Sequence, residues 1–386
     1  MKKTNEIKTV GVFLGQYDIE NTFLKNTDEI SDICGYNSGN LLFRYAVSNH
    51  IACNTIAINF DTEIGFINEN IDIIVIPSAN QINPEWDLFD WAEFFEKCEV
   101  PVLPLGLGCQ APADHQKGTK IDLKPGTLRY LKIIAEKSKT IGVRGLFTAE
   151  QLAMYGVTNT VVIGCPSNFI NPNRKLGSLI EDKFNKSIEK IVIASGEFED
   201  GNLDHQVSEK KLIHWAAEYN GFYTCQSPME LIALARNRLN DIPNSEEYLG
   251  WLRGYLMPEL DFKDFLTFIK RQFLTFLQMN AWLEFLATCD LSIGKRIHGN
   301  IAAMQSGTPG ICITHDSRTL ELCNTLMIPN ISLSDFLSIN DVDELVRKVS
   351  FDGDLYDKNR CRLSEIYLSL FQENGIPCSL NEIFSD

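Results

Sequence analysis

Short, unbroken apolar runs recur along the chain with amphipathic stretches between them, and that alternation restricts the fold more than any other feature. Residues 9–14, 55–58, 71–76, 100–105, 140–143 and 160–163 are mostly β-branched or aliphatic, with little polar alternation. Runs of this kind are strands buried on both faces, as in a parallel sheet covered by helices. The intervening segments 41–50, 84–97, 127–139 and 147–155 carry helical periodicity, and the last stops at Gly156 as a helix C-cap does. The pattern is a repeated βαβ unit.

A polar, charged stretch at 172–190 interrupts the series, and strands resume at 191–194, 221–224, 291–293 and 310–313, with helices at 209–218, 229–238, 299–305 and 317–325 between them. A chain of 386 residues exceeds one ordinary core. We therefore expect an α/β protein of two doubly wound, Rossmann-like domains facing a cleft. Residues 1–180 form the first domain; residues 181–386 form the second, with a helical insertion at 246–288 and the C-terminal helices. The aromatic residues of that insertion, among them Trp251, Phe262, Phe265, Phe273 and Trp282, fall at helical spacing and read as core rather than as a partner or lipid surface.

Charge limits the partners. With 51 acidic against 35 basic side chains the net charge is -16, which opposes any general phosphate-binding surface, so neither nucleic acid nor an anionic membrane is expected. An anion site must be a local cluster of cations. The eleven cysteines are scattered without a C-x-x-C pair, a usage that fits buried thiols in a reducing compartment better than a disulfide framework or a zinc site. Residues 1–8 are polar, the apolar run after them is too short for a signal sequence, and no stretch is long enough to cross a bilayer. A cytoplasmic protein without a transmembrane segment is expected.

The segment 290–318 carries most of the chemistry. It reads as strand, tight turn, helix, strand, loop and helix, and ligands of α/β sheets sit in loops at the carboxyl ends of strands. Gly294 permits an unusual backbone at the strand end. Arg296 and His298 then stand at the N-terminus of a helix starting near Gly299, where free N–H groups and the helix dipole favour an anion. Arg296 offers a two-pronged contact to phosphate or carboxylate, and His298 can titrate near neutral pH. A second loop, Thr314-His315-Asp316-Ser317-Arg318, follows the next strand. Asp316 or Ser317 reads as the N-cap of the next helix, whereas His315 and Arg318 project from the same sheet edge as Arg296 and His298. Two His-Arg loops on one edge predict a site for an anionic donor.

These motifs give the chain a resemblance to the polysaccharide pyruvyl transferases: D-L-x-I-G-x-R-I-H-G over Asp290–Gly299, then G-T-P at Gly307 and H-D-S-R ending at Arg318. Further upstream, Asn37-Ser38-Gly39-Asn40 is similar to the family's N-x-G-D/N turn, Gly106-Leu107-Gly108-Cys109-Gln110 to its G-x-G-x-Q strand end, and Arg144 with Thr148 to its R-x-x-x-T/S helix start. Gly164-Cys165-Pro166 stands where the family usually has G-D-P. Asn40 and Cys165 each replace a common aspartate, and Ser78-Ala79-Asn80 departs from the usual glycine-rich turn.

The resemblance implies a GT-B-like fold. It also implies transfer of a pyruvyl group from phosphoenolpyruvate to two hydroxyls of one sugar, forming a cyclic ketal on a bacterial surface glycan or its precursor, such as a capsule or exopolysaccharide unit. No metal or other cofactor is called for. Phosphoenolpyruvate carries a phosphate and a carboxylate, for which Arg144, Arg296 and Arg318 are the candidate cations, with Gly299 beside them. The methylene carbon must be protonated to make C2 electrophilic; His298 is the first choice for that acid and His315 the second. The base that takes a sugar hydroxyl proton stays open among His315, Asp316 and His115. Asn37, Gly39, Asn40, Gln110 and His115 are the candidate acceptor-side residues, and the partner is a glycan, free or lipid-linked. No residue pattern sets the oligomeric state.

Rival readings rest on less. A glycosyltransferase of the same fold would hold a nucleotide-sugar diphosphate at the same helix N-terminus, but it needs a base pocket and ribose contacts, whereas clustered arginine and histidine suit a small anion. Gly106-Leu107-Gly108-Cys109-Gln110-Ala111 matches a dinucleotide fingerprint weakly, because Pro112 follows where a helix should start and the motif is not in the first βα unit. A metal site from His298, His315 and Asp316 lacks any supporting ligand spacing. A glycan-binding protein without catalysis would have no need of both Arg296 and His298.

Overall fold

The computed structural model describes residues 7–111, 116, 118–194, 196 and 201–380. Six parallel strands form the first sheet: β1 (Thr9–Phe13), β2 (Asn54–Ile58), β3 (Ile73–Pro77), β4 (Val102–Leu107), β5 (Ile141–Val143) and β6 (Thr160–Val162), in the order β2-β1-β3-β4-β5-β6. Six more form the second: β7 (Ile191–Ala194), β8 (Phe222–Thr224), β9 (Phe273–Leu274), β10 (Leu291–Gly294), β11 (Gly310–Thr314) and β12 (Asn330–Ser332), in the order β12-β11-β10-β7-β8-β9. The expected pair of doubly wound α/β units is therefore present. β3, β4, β7, β10 and β11 are buried along their whole length, which is why they lack polar alternation.

Strand order reverses between β1 and β3 in the first sheet and between β7 and β10 in the second. Such switch points open a crevice at the carboxyl ends of the strands. One contiguous hydrophobic cluster spans both units, joining Leu42 and Phe43 of the first to Met279, Trp282, Ile297 and Ile301 of the second. The two crevices are thus held against each other by shared core.

Three features differ from the sequence reading. The insertion at 246–288 is not purely helical, because Phe273–Leu274 pairs with β8 as an edge strand. Its Phe265, Phe273 and Trp282 are core, while Trp251 and Phe262 remain exposed at 42% and 43%. The C-terminal helix Gly353–Asn374, assigned from sequence to the second unit, returns to the first: it packs on β6 and on the Leu176–Phe184 helix. Asp357 accepts from Gly177 N at 2.7 Å and caps that helix, and buried Arg360 donates to Asn168 O at 2.9 Å and Asn173 O at 2.7 Å. Nothing local in a helix names the distant carbonyls that it will satisfy. Among the described residues no helix is long and apolar enough to cross a membrane, and all eleven cysteines are free thiols.

Candidate functional site

The loop after β10 is built by close approach. A Cβ on Gly294, whose φ is +158°, would lie 2.0 Å from Ala194 O of β7, so only glycine lets the two central strands meet there. Asn300 then pins the turn, accepting from Ser292 Oγ at 3.0 Å and donating to Gly294 O at 2.9 Å. Buried Lys295 pairs with Glu209 at 3.0 Å and donates to Ser208 Oγ at 3.1 Å, while Tyr223 donates to Glu209 at 2.6 Å. With its backbone so fixed, the chain places Arg296 at the N-cap of the Ile297–Gln305 helix, two residues earlier than the expected start.

The helix delivers His298 into a small chamber of about 40 Å³ lined also by Arg144, Arg296, Arg318, Lys295 and Gln226. This chamber adjoins a cleft of about 580 Å³, and Asn37, Asn40, Asn80, Arg296 and Arg318 line both. The three arginines therefore converge on one place from beyond the ends of three strands, β5, β10 and β11, and from both units. Arg144 is buried, its Nε donating to Gly106 O at 3.0 Å and Nη2 to Ser78 O at 3.4 Å. Arg318 pairs with Asp316 at 2.9 Å.

The ordinary histidine value expected of His298 is not what its surroundings favour. Burial, then the guanidinium groups of Arg144, Arg318 and Arg296, hold it well below the ordinary histidine value. Its Nε2 lies 3.7 Å from Cys165 Sγ, and its ring centroid 5.3 Å from that of Phe43. The guanidinium groups that would attract an anion thus also disfavour the charged form of the histidine.

Several candidates take other roles. Gly299 N donates to Arg296 O at 3.1 Å inside the first turn, so it is not offered to a donor; the glycine is needed because a Cβ would lie 2.7 Å from that of Ala194. His315 lines neither chamber nor cleft and packs edge-on against His205 at 5.4 Å between centroids. Asp316 is the N-cap of the Ser317–Leu326 helix, accepting from Thr319 N at 2.7 Å. Burial alone would raise its carboxyl, but Arg318, His315 and Thr319 together bring it below the ordinary value, which disfavours it as a base near neutral pH. His115 lies outside the described residues.

Of the residues expected on an acceptor side, Asn37, Asn40 and Gln110 line the cleft. Asn40 also holds the end of the Thr27–Cys34 helix, donating to Cys34 O at 3.0 Å, and Gln110 accepts from Asn80 Nδ2 at 2.6 Å. Gly39 makes room instead of contact, because a Cβ there would sit 2.5 Å from Gln226 Oε1. Sequence reasoning missed Glu85, Trp86, Trp91 and Tyr36, all on the cleft wall. Trp86 and Tyr36 are 51% and 70% exposed. Assigning 84–97 to a helix concealed the loop that carries Glu85 and Trp86, since the helix starts only at Phe89. Glu85 is the one carboxylate among the described residues that line the cleft.

Behind the chamber, Glu321 of the second unit accepts from Thr148 N at 2.7 Å and Thr148 Oγ1 at 2.8 Å, capping the Leu146–Met154 helix of the first. Glu321→Ala should cost about 2 kcal/mol in denaturant unfolding, because it leaves two buried donors unmet. Burial raises this carboxyl above the ordinary glutamate value, more than Thr148 and Arg144 lower it. A raised folded-state pKa gives stability that is present below the unfolded value and lost as pH rises through the folded one. The stability difference between the native protein and Glu321→Gln should therefore shrink over that interval and then stay flat.

The family model described as polysaccharide pyruvyl transferase matches residues 13–317, from the end of β1 to the start of the helix after β11. No curated protein matches the chain. Similar solved structures include the UDP-N-acetylglucosamine 2-epimerase from Rickettsia bellii, with 10% identity, a TM-score of 0.43 and 98% of each chain covered. Anabaena Alr3699/HepE in complex with UDP and glucose has 10% identity and a TM-score of 0.43, with 95% of this chain and 98% of that one covered. The Methanocaldococcus jannaschii UDP-GlcNAc 2-epimerase in complex with UDP-GlcNAc and UDP has 10% identity and a TM-score of 0.44, over 94% and 99%.

Proposed function

The chain belongs to the polysaccharide pyruvyl transferase family, and on that premise we propose that it transfers the pyruvyl group of phosphoenolpyruvate onto two hydroxyls of one sugar in a surface glycan or its precursor. The convergence of Arg144, Arg296 and Arg318 with His298 in one small chamber carries the reading. The clustered guanidinium groups suit a small donor with two anionic groups, and the residues that line both chamber and cleft would set its reacting carbon towards an acceptor in the cleft. Arginine binds phosphate and carboxylate through paired N–H groups, and with the donor's charge met in this way the proposed reaction draws on no cofactor.

In the proposed sequence, protonated His298 gives its proton to the methylene carbon, which becomes a methyl group as C2 turns electrophilic. One sugar hydroxyl adds to C2 and loses its proton; the C2–O bond to phosphate breaks; the second hydroxyl adds and loses its proton. One released proton restores His298 and the other leaves with inorganic phosphate. Glu85 is the carboxylate on the cleft wall able to accept a hydroxyl proton. The faces of Trp86 and Tyr36 suit the apolar face of a sugar ring, and the amides of Asn37, Asn40, Asn80, Gln81 and Asn83 suit its hydroxyls. Eleven free thiols agree with a reducing, cytoplasmic location.

A thermal shift of the purified protein tests the donor without needing an acceptor. Phosphoenolpyruvate at about 100 times its Kd should stabilise the native state by about 2.7 kcal/mol. Stabilisation by a panel of nucleotide sugars, with none from phosphoenolpyruvate, would replace this reading with glycosyl transfer.

A further inference from the structure

Gln226, in the loop after β8, is a polar side chain without a polar partner. It is 2% exposed, and neither its Nε2 nor its Oε1 has a hydrogen-bond partner among the described residues. Native proteins rarely leave both ends of a buried amide unmet, because the desolvation is not repaid. Room for it is made deliberately from two sides. A Cβ on Gly39 of the first unit would stand 2.5 Å from Oε1, and a Cβ on Gly299 of the second would stand 2.8 Å from Nε2. Its backbone is held as well, since Gln226 O accepts from Ser38 N at 2.9 Å.

The side chain lines the same chamber as Arg144, Arg296, His298 and Arg318. Two glycines and a bond between the units thus hold an unmet carboxamide beside the cation cluster. We propose that Gln226 is a donor-binding residue whose Nε2–H donates to an anionic oxygen of phosphoenolpyruvate, an assignment that rests on the pyruvyl transfer reading. An amide adds a directed hydrogen bond without adding charge, which matters beside a histidine that further positive charge would hold neutral.

Isothermal titration of phosphoenolpyruvate into the full-length protein and into Gln226→Met and Gln226→Glu tests this. Methionine keeps the length of the side chain and removes its hydrogen bonds, so it should bind about 10- to 100-fold more weakly. Glutamate sets a like charge against the donor and should bind more weakly still. Without ligand, Gln226→Met should be at least as heat-stable as the native protein, because an unmet buried amide has been removed; a purely structural glutamine would show the opposite. Unchanged affinity in Gln226→Met would overturn the assignment and leave the amide to an ordered water or to packing. No binding by the native protein would instead overturn the pyruvyl transfer reading itself, and Gln226 would lose its proposed ligand with it.

Discussion

His298→Asn should lower pyruvyl transfer by about 10²- to 10⁴-fold, the usual contribution of a positioned acid, while phosphoenolpyruvate binds within severalfold of its native affinity. Asparagine keeps a polar group of similar reach but cannot carry the proton. In the unliganded protein burial and three guanidinium groups disfavour the charged form of His298. The donor's negative charges oppose those cations, raise the histidine and so draw in the proton that the reaction spends. Binding should therefore take up a proton, seen by calorimetry in two buffers of different ionisation enthalpy and missing in His298→Asn.

The sign of the stability effect follows from the same residue. A depressed folded-state pKa gives stability that is present above the unfolded value and lost as pH falls through the folded one. Acidification should weaken the unliganded protein through His298, and phosphoenolpyruvate should relieve that loss. Transfer at the native rate by His298→Asn would remove this histidine from the chemistry.

What the sequence disclosed follows from what is local. Apolar periodicity along each strand revealed the doubly wound units, because burial on both faces is written into the strand itself. The R-I-H turn was legible for the same reason: Gly294, Arg296 and His298 are fixed by one strand end and one helix start. The second His-Arg loop was half legible. Arg318 reaches the chamber, but His315, three residues away, packs on His205, and the direction of a loop side chain depends on neighbours that the motif does not contain. Gln226 had no signal at all, since its meaning arises from Gly39 and Gly299, far from it in the chain and on opposite sides.

Arg296→Ala should abolish the thermal shift produced by phosphoenolpyruvate and weaken its binding by about 100-fold, the scale of losing paired hydrogen bonds to a charged group. Arg296 stands at the N-cap of the Ile297–Gln305 helix and lines both chamber and cleft, so it meets the donor wherever the donor spans them. Lysine should not rescue it, because a single ammonium cannot make the two-pronged contact. Arg144→Ala is the instructive comparison. Its guanidinium is buried and ties Gly106 O to Ser78 O, so its loss should lower unfolding stability as well as donor affinity. Without ligand Arg144→Ala should therefore lose unfolding stability relative to the native protein, and both variants should fail to respond to phosphoenolpyruvate. A full thermal shift retained by Arg296→Ala would place the donor somewhere other than this chamber.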